Sequence, residues 1–105
     1  MTADTISLAG QVAIVTGSGR ENGIGAAIAL ALARNGANVA VNYVSEASAS
    51  RAETVAKRLK AVGARATIVQ ADISTPEGAA KLVQKTLEAF ETDKVDILGT
   101  IWPTL

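Results

Sequence analysis

Short apolar runs alternate with longer helical segments along the chain, and this alternation is the strongest constraint on its fold. The runs are rich in β-branched residues and are predicted to be strands at 12–16, 39–43, 66–70 and 95–98. The segments between them are predicted helices at 24–35, at 47–62 and from the Pro76 region to about Phe90. Strands that alternate with helices in this way form a parallel sheet, because each helix returns the chain to the edge where the previous strand began.

The predicted helices carry recognisable signals at their ends and on their faces. Gly36 follows the first helix, where a left-handed backbone is expected. Residues 74–77 have the spacing of a capping box for the third helix. The first helix is apolar nearly all round, which predicts that it is buried. On the third helix, the residues predicted to face the core are Leu82, Val83, Leu87 and Phe90.

The handedness of the crossovers limits the topology. Parallel crossovers are almost always right-handed, and a Rossmann arrangement places the strands in the order 3-2-1-4. The first two helices then cover one face of the sheet and the third helix covers the other. The reversal between strands one and four opens a crevice at the carboxyl ends of the strands, where ligands bind in such sheets. We therefore predict a Rossmann-like, three-layer α/β fold with a parallel sheet, truncated after its fourth strand.

A glycine-rich turn is predicted at the mouth of this crevice, between the first strand and the first helix. It runs from Thr16 to Gly25. Glycines let the backbone approach a pyrophosphate closely, and the free N–H groups at the start of the helix attract its charge. Gly17 and Gly19 match the first two glycines of the G-x-G-x-x-G pattern, but its third position holds Asn22. The turn predicts a dinucleotide ligand, with a plain glycine-rich connection as the alternative.

Composition argues against several other classes of function. The formal net charge is +0, so there is no basic surplus for nucleic acid or an anionic membrane surface. The chain has no cysteine and no histidine, which excludes disulfides, thiolate or imidazole metal sites and Cys/His catalysis. We see no signal peptide and no apolar run near the ~20 residues of a membrane span. A cytoplasmic protein without a metal site is therefore expected.

The motifs resemble those of the short-chain dehydrogenase/reductase family over about residues 7–98. Thr16-Gly17 and residues 23–25 resemble its Thr-Gly-x-x-x-Gly-Ile-Gly cofactor motif, although five residues intervene here where the family usually has three. Asp72 resembles the family's aspartate that contacts the adenine ring. Within the family the chain looks most like the ketoacyl and hydroxynaphthalene reductases. This resemblance and the residues at the end of strand two together predict a set of cofactor-binding residues. They are Thr16, Gly17, Ser18, Arg20, Gly23, Ile24, Gly25, Asn42, Tyr43, Ser45, Asp72 and Ile73.

The end of the second strand bears on which dinucleotide is preferred. An NAD site usually has an acidic residue about 20 residues past the glycines, where it binds the ribose hydroxyls. Here no carboxylate occurs until Glu46. The absence removes a repulsion against a 2′-phosphate, while Asn42 and Ser45 can donate hydrogen bonds and Arg20 can supply positive charge. We therefore predict that NADP(H) is favoured over NAD(H).

The resemblance also implies a chemistry whose residues this chain does not carry. The family transfers hydride between a nicotinamide and a carbonyl, using a Ser and a Tyr-x-x-x-Lys pair that follow strand four. The single tyrosine of this chain is Tyr43, and Ala47 stands four residues later in place of lysine. No catalytic residue is assigned. Residues 1–98 are interpreted as the first part of a dinucleotide-binding domain, and residues 99–105 as a tail that does not match the family.

Two functions remain open from the sequence. The first is the NADP(H)-binding portion of a short-chain reductase, inactive by itself, with a small carbonyl substrate only where the catalytic half is present. The second is a non-catalytic module that binds a nucleotide or a partner. In both, strand four is an open sheet edge that favours aggregation, and no oligomeric state is predicted.

Overall fold

The computed structural model describes residues 8–16 and 24–100, which contain four strands and three α-helices. The strands are β1 (Val12–Thr16), β2 (Asn38–Tyr43), β3 (Ala66–Gln70) and β4 (Ile97–Thr100). The helices are α1 (Ile24–Arg34), α2 (Ala49–Ala61) and α3 (Pro76–Phe90), and a 3₁₀ turn at Glu46–Ser48 precedes α2. Strands and helices alternate, as the sequence predicts.

The four strands form one parallel sheet in the order β3-β2-β1-β4. β1 pairs with β2 through Val15 and Val41, and with β4 through Thr16 and Thr100. The outer strand β3 pairs with β2 up to Gln70, opposite Tyr43. All four carboxyl ends therefore lie along one edge of the sheet. The predicted Rossmann-like α/β class is confirmed.

The helices cover both faces of the sheet, as predicted, because side chains along each strand alternate between the faces. Ala13 and Val15 of β1 pack with α1 and α2, while Val12 and Ile14 lie in a second cluster with Leu82 of α3. Ile14 is fully buried, and burial of such a side chain contributes about 1.5–3 kcal/mol. The sheet is thus held as the middle layer of three.

The ends of the helices show where local signals predict structure well and where they do not. Gly36 has φ +99°, the left-handed conformation expected there, and a Cβ at this position would lie 3.1 Å from the backbone of Ala9. The N-cap of α3 is Thr75, whose hydroxyl accepts a hydrogen bond from Gly78 N at 3.0 Å. The capping-box prediction starting at Ser74 is therefore wrong by one residue, because the Ser74 hydroxyl donates to Asp72 instead.

Several boundaries and faces differ from prediction. β4 begins at Ile97 rather than at residue 95, since the preceding Asp96 uses its carboxylate to accept from Val12 N at 2.8 Å. α1 is only partly buried, with Ile28 37% exposed, because one side of its apolar surface lies against the sheet and α2. Val83 on α3 is 42% exposed, contrary to prediction, because the buried stripe contains Thr86 beside Leu82 and Phe90.

Candidate functional site at the carboxyl edge of the sheet

The carboxyl edge contains a topological switch point between β1 and β4. The chain leaves β1 toward β2 on one side, whereas the crossover from β3 through α3 returns to β4 on the other side. Crevices of this kind are where parallel α/β sheets bind ligands. The residues that end the strands at this edge are therefore the candidates for binding.

Thr16 ends β1 at the switch point and is paired in register with Thr100 of β4. It is 3% exposed, and its hydroxyl is the single buried side-chain polar atom without a hydrogen-bond partner in the described ranges. Buried polar groups are nearly always paired, so an orphaned hydroxyl calls for an explanation such as a bound group. This orphan at the mouth of the crevice fits a site that takes a polar ligand.

The glycine-rich turn itself lies largely outside the described residues. Gly17, Ser18, Arg20 and Gly23 fall there, so their assigned roles stay predictions. α1 begins at Ile24, immediately after the turn, and Gly25 follows within the helix. The first turn of α1 carries no acidic residue. The positive end of its dipole is therefore not neutralised from within the helix, as an anion site requires.

The three residues predicted to bind the cofactor at the end of β2 differ in burial and in the contacts of their side chains. Tyr43 is half-buried and packs against the cluster of α1 and α2, whereas Ser45 is exposed and shares a 3.3 Å hydrogen bond with the Ser48 hydroxyl. Asn42 is 1% exposed and lies on the opposite face from Tyr43. Its amide donates to the main-chain oxygens of Val69 and Ala71, each at 3.1 Å. Of these three residues, Ser45 is the one that is exposed.

Asp72 follows β3 at the same edge and is exposed. Its Oδ1 accepts hydrogen bonds from the Ser74 hydroxyl at 2.6 Å and from Ser74 N at 3.0 Å. These bonds, the hydroxyl first, hold the pKa of Asp72 below its ordinary value. Ile73 is half-buried and packs toward the cluster of α3. Asp72 is therefore an ionised and oriented acceptor, while Ile73 anchors the loop.

The backbone of this loop is fixed by residues that the sequence analysis did not assign to the site. The carbonyl of Asp72 accepts from Thr75 N at 3.3 Å and from the Thr75 hydroxyl at 3.1 Å. Gly78, in the first turn of α3, lies directly against this carbonyl, and a Cβ there would overlap it. A threonine at the N-cap followed by proline was a usable signal for the helix start, but no local pattern indicated the role of Gly78.

Other kinds of site find no support in the described part of the chain. It contains no group of three or more acidic, cysteine or histidine residues placed to hold a metal ion. No described helix has the length and apolar character needed to cross a bilayer.

Comparison with known proteins agrees with the geometry of this edge. Residues 11–100 match the profile of the family described as short chain dehydrogenase. The chain is 49% identical over 88 residues to versicolorin reductase 1 of Aspergillus parasiticus, covering 84% of this chain and 32% of that protein. It is 44% identical over 89 residues to hydroxynaphthalene reductase arp2 of Aspergillus fumigatus, covering 85% of this chain and 31% of that protein. The chain thus spans about a third of the length of these relatives.

Two similar crystal structures contain a bound dinucleotide. A blue fluorescent protein from a metagenomic library, in complex with NADPH, superposes with a TM-score of 0.77 at 40% identity, covering 88% of this chain and 36% of that one. A putative dehydrogenase of Burkholderia cenocepacia with bound NADP gives a TM-score of 0.78 at 36% identity, covering 91% of this chain and 35% of that one. The Rossmann topology, the oriented Asp72 and the matched profile lead to one conclusion: the chain belongs to the short-chain dehydrogenase/reductase family, of which it carries a nucleotide-binding portion.

Proposed function

We propose that this chain binds NADP(H) as the cofactor-binding part of a short-chain reductase. The observation that carries the proposal is the exposed Asp72 carboxylate, oriented by Ser74 at the sheet edge where α1 begins. This arrangement offers an acceptor for the adenine end of a dinucleotide and a helix N-terminus for its phosphates. The bound cofactor would supply or accept hydride at its nicotinamide ring.

We propose that different residues bind the phosphates, the adenine and the ribose of the dinucleotide. Thr16 offers its unpaired buried hydroxyl beside the phosphates, and the first turn of α1 offers main-chain N–H groups. Asp72 accepts a hydrogen bond from the adenine amino group. Its lowered pKa keeps the carboxylate ionised at neutral pH, and an ionised carboxylate is a strong acceptor. Ser45 is exposed near the end of β2, where a ribose or its phosphate would need a donor.

A preference for NADP(H) over NAD(H) forms the finer part of the proposal. No carboxylate stands at the end of β2 before Glu46, so nothing there repels a 2′-phosphate. Ser45 and Arg20 supply a donor and a charge. The NADPH and NADP found in two similar crystal structures favour the same preference.

We further propose that the chain by itself does not turn over substrate. The family's reaction, hydride transfer between NADPH and a ketone or alcohol, needs a Tyr-x-x-x-Lys pair, whereas Tyr43 is the one tyrosine and Ala47 takes the place of its lysine. We assign residues 1–98 to the dinucleotide-binding domain. Gly99 and Thr100, which the sequence places in the tail, complete β4 beside β1, so the segment of unassigned role begins after Thr100. A cytoplasmic location also stays a prediction.

Titration of the 105-residue chain with NADPH and NADH, followed by nicotinamide fluorescence and a ketone-reduction assay, tests these proposals. We expect saturable binding, tighter for NADPH, without turnover. Asp72→Ala is expected to weaken both cofactors by about tenfold. The control Asp93→Ala removes an exposed acid between α3 and β4, at the opposite sheet edge, and leaves both affinities unchanged. Turnover would refute the predicted inactivity, and a folded chain that binds neither cofactor would refute the binding proposal.

A further inference from the structure

Asn42 is an unusual residue for its position in the sheet. It lies in β2, between strands β1 and β3, and is 1% exposed, while Val39, Ala40 and Val41 before it are apolar and fully buried. An amide buried in such a place is tolerated only where its polar atoms are paired. The Asn42 side chain therefore needs hydrogen-bond partners within the protein.

The amide of Asn42 joins β2 to the end of β3. Its Nδ2 donates to Val69 O and to Ala71 O, each at 3.1 Å, with a longer contact of 3.4 Å to Tyr43 O. Main-chain carbonyls only accept hydrogen bonds. The amide must therefore point its Nδ2, and not its Oδ1, toward Val69 O in β3 and Ala71 O just after β3. The two N–H groups of the amide are thereby used within the protein. No donor remains on Nδ2 for a phosphate of the cofactor.

The segment held by Asn42 leads directly into the proposed adenine site. Ala71 is the last buried residue before Asp72, and Ala71 N donates to Tyr43 O at 3.0 Å. Asn42 and this main-chain bond together fasten the start of the Asp72 loop to the end of β2. The end of β2 also leads to Ser45. The Asn42 amide, the Ala71–Tyr43 bond and a 3.1 Å bond from Gln70 Nε2 to Val44 O therefore together hold the two segments that the proposed function places around the adenosine.

We propose that Asn42 is a positioning residue for dinucleotide binding and does not contact the 2′-phosphate. This inference rests on the proposed function. It replaces the sequence-based expectation that Asn42 helps to select NADP(H), and it leaves that selection to Ser45 and Arg20. A positioning residue supports the adenosine end common to both dinucleotides, so its loss weakens NADPH and NADH by the same factor.

The test compares dissociation constants of NADPH and NADH for the wild-type chain and three variants. Asn42→Leu removes the amide at similar volume, and we expect both affinities to fall by about tenfold with their ratio unchanged. Asn38→Leu is the matched control, at the opposite end of the same strand, and is expected to change neither. Ser45→Ala is expected to weaken NADPH alone. A loss confined to NADPH in Asn42→Leu, or no loss at all, overturns the proposal.

A second measurement on the wild-type chain needs no variant to fold. Hydrogen exchange of the Asn42 side-chain NH₂, followed by NMR, should be slow without cofactor and equally slow with NADPH or NADH. Rapid exchange in the free chain, or protection that appears only with NADPH, contradicts the inference. If the wild-type chain binds neither dinucleotide, the proposed function fails and the positioning role fails with it. A slow side-chain exchange in that case identifies a purely structural cross-link and so separates the two failures.

Discussion

Replacing Gly78 with alanine tests whether the Asp72 loop is held by close backbone packing. The added Cβ would overlap the Asp72 carbonyl and come within 3.0 Å of the Thr75 hydroxyl that caps α3. Both neighbours are fixed, because Thr75 N and its hydroxyl already bind that carbonyl. The substitution must therefore displace the loop, the start of the helix, or both.

The expected magnitude follows from three opposing contributions. Overpacking costs about 1–3 kcal/mol, and weakening the Thr75 cap costs about 1 kcal/mol more. Alanine recovers about 1 kcal/mol through its higher helix propensity. We therefore expect Gly78→Ala to lower the free energy of unfolding by about 1–3 kcal/mol, whereas helix propensity by itself predicts a gain.

Urea unfolding followed by circular dichroism measures this change directly. The control is Ala79→Gly at the next, exposed position of α3, which reports propensity without the clash and is expected to cost about 1 kcal/mol. The same Gly78 variant should also bind NADPH more weakly, because the Asp72 carboxylate moves with its backbone. A Gly78→Ala chain as stable as the wild type, or more stable, would refute the packing argument.

Four further predictions concern single groups. Thr16→Val removes the unpaired buried hydroxyl and should stabilise the cofactor-free chain by about 1 kcal/mol in urea unfolding. Thr86→Val, where the buried hydroxyl donates to its own helix, should destabilise it by a similar amount. The pKa of Asp72 lies below its ordinary value, so its bonds to Ser74 add stability that is present above the unfolded-state pKa and lost as pH falls through the folded-state pKa. Carboxyl ¹³C NMR should show that Ser74→Ala raises this pKa, and an unchanged titration contradicts the assignment. Glu91 ends α3 with φ +53°, so Glu91→Gly should raise the free energy of unfolding by about 0.5–1 kcal/mol; a loss of stability would show that this backbone is not strained.

The fold was more predictable than the details of the site. Four apolar runs separated by helical patterns defined a parallel sheet, and crossover handedness assigned the helices to the correct faces. The prediction that Val83 faces the core is wrong, because an apolar residue beside a buried stripe looks the same in sequence as one within it. Thr86 is buried instead, and its hydroxyl donates a hydrogen bond to Leu82 O. Helical periodicity alone could not separate these two positions.

The site depended on contacts between distant segments, which local patterns do not reveal. Asp72 was identified by its resemblance to the family motif, but its fixation by Thr75 and Gly78 arises from the way α3 folds back on the loop. The sequence predicts that Asn42, near the end of the second strand, donates a hydrogen bond to the 2′-phosphate. The alternation of strand faces places it inside instead, against carbonyls 27 and 29 residues away. Only the paired register of β2 and β3 makes that interaction visible.

The pairing of β1 with β4 has a consequence for the order of folding events. Val12 and Asp96 exchange two hydrogen bonds although they are 84 residues apart, so this edge of β1 stays unpaired until Asp96 and the strand that follows it have been synthesised. Closing a loop of this length costs more conformational entropy than pairing β1 with β2, so we expect the β1–β4 contact to form later. Asp96→Ala should therefore accelerate unfolding and leave the refolding rate nearly unchanged in stopped-flow experiments. The last strand to dock would then determine how long the native state lasts and have little influence on how fast it forms.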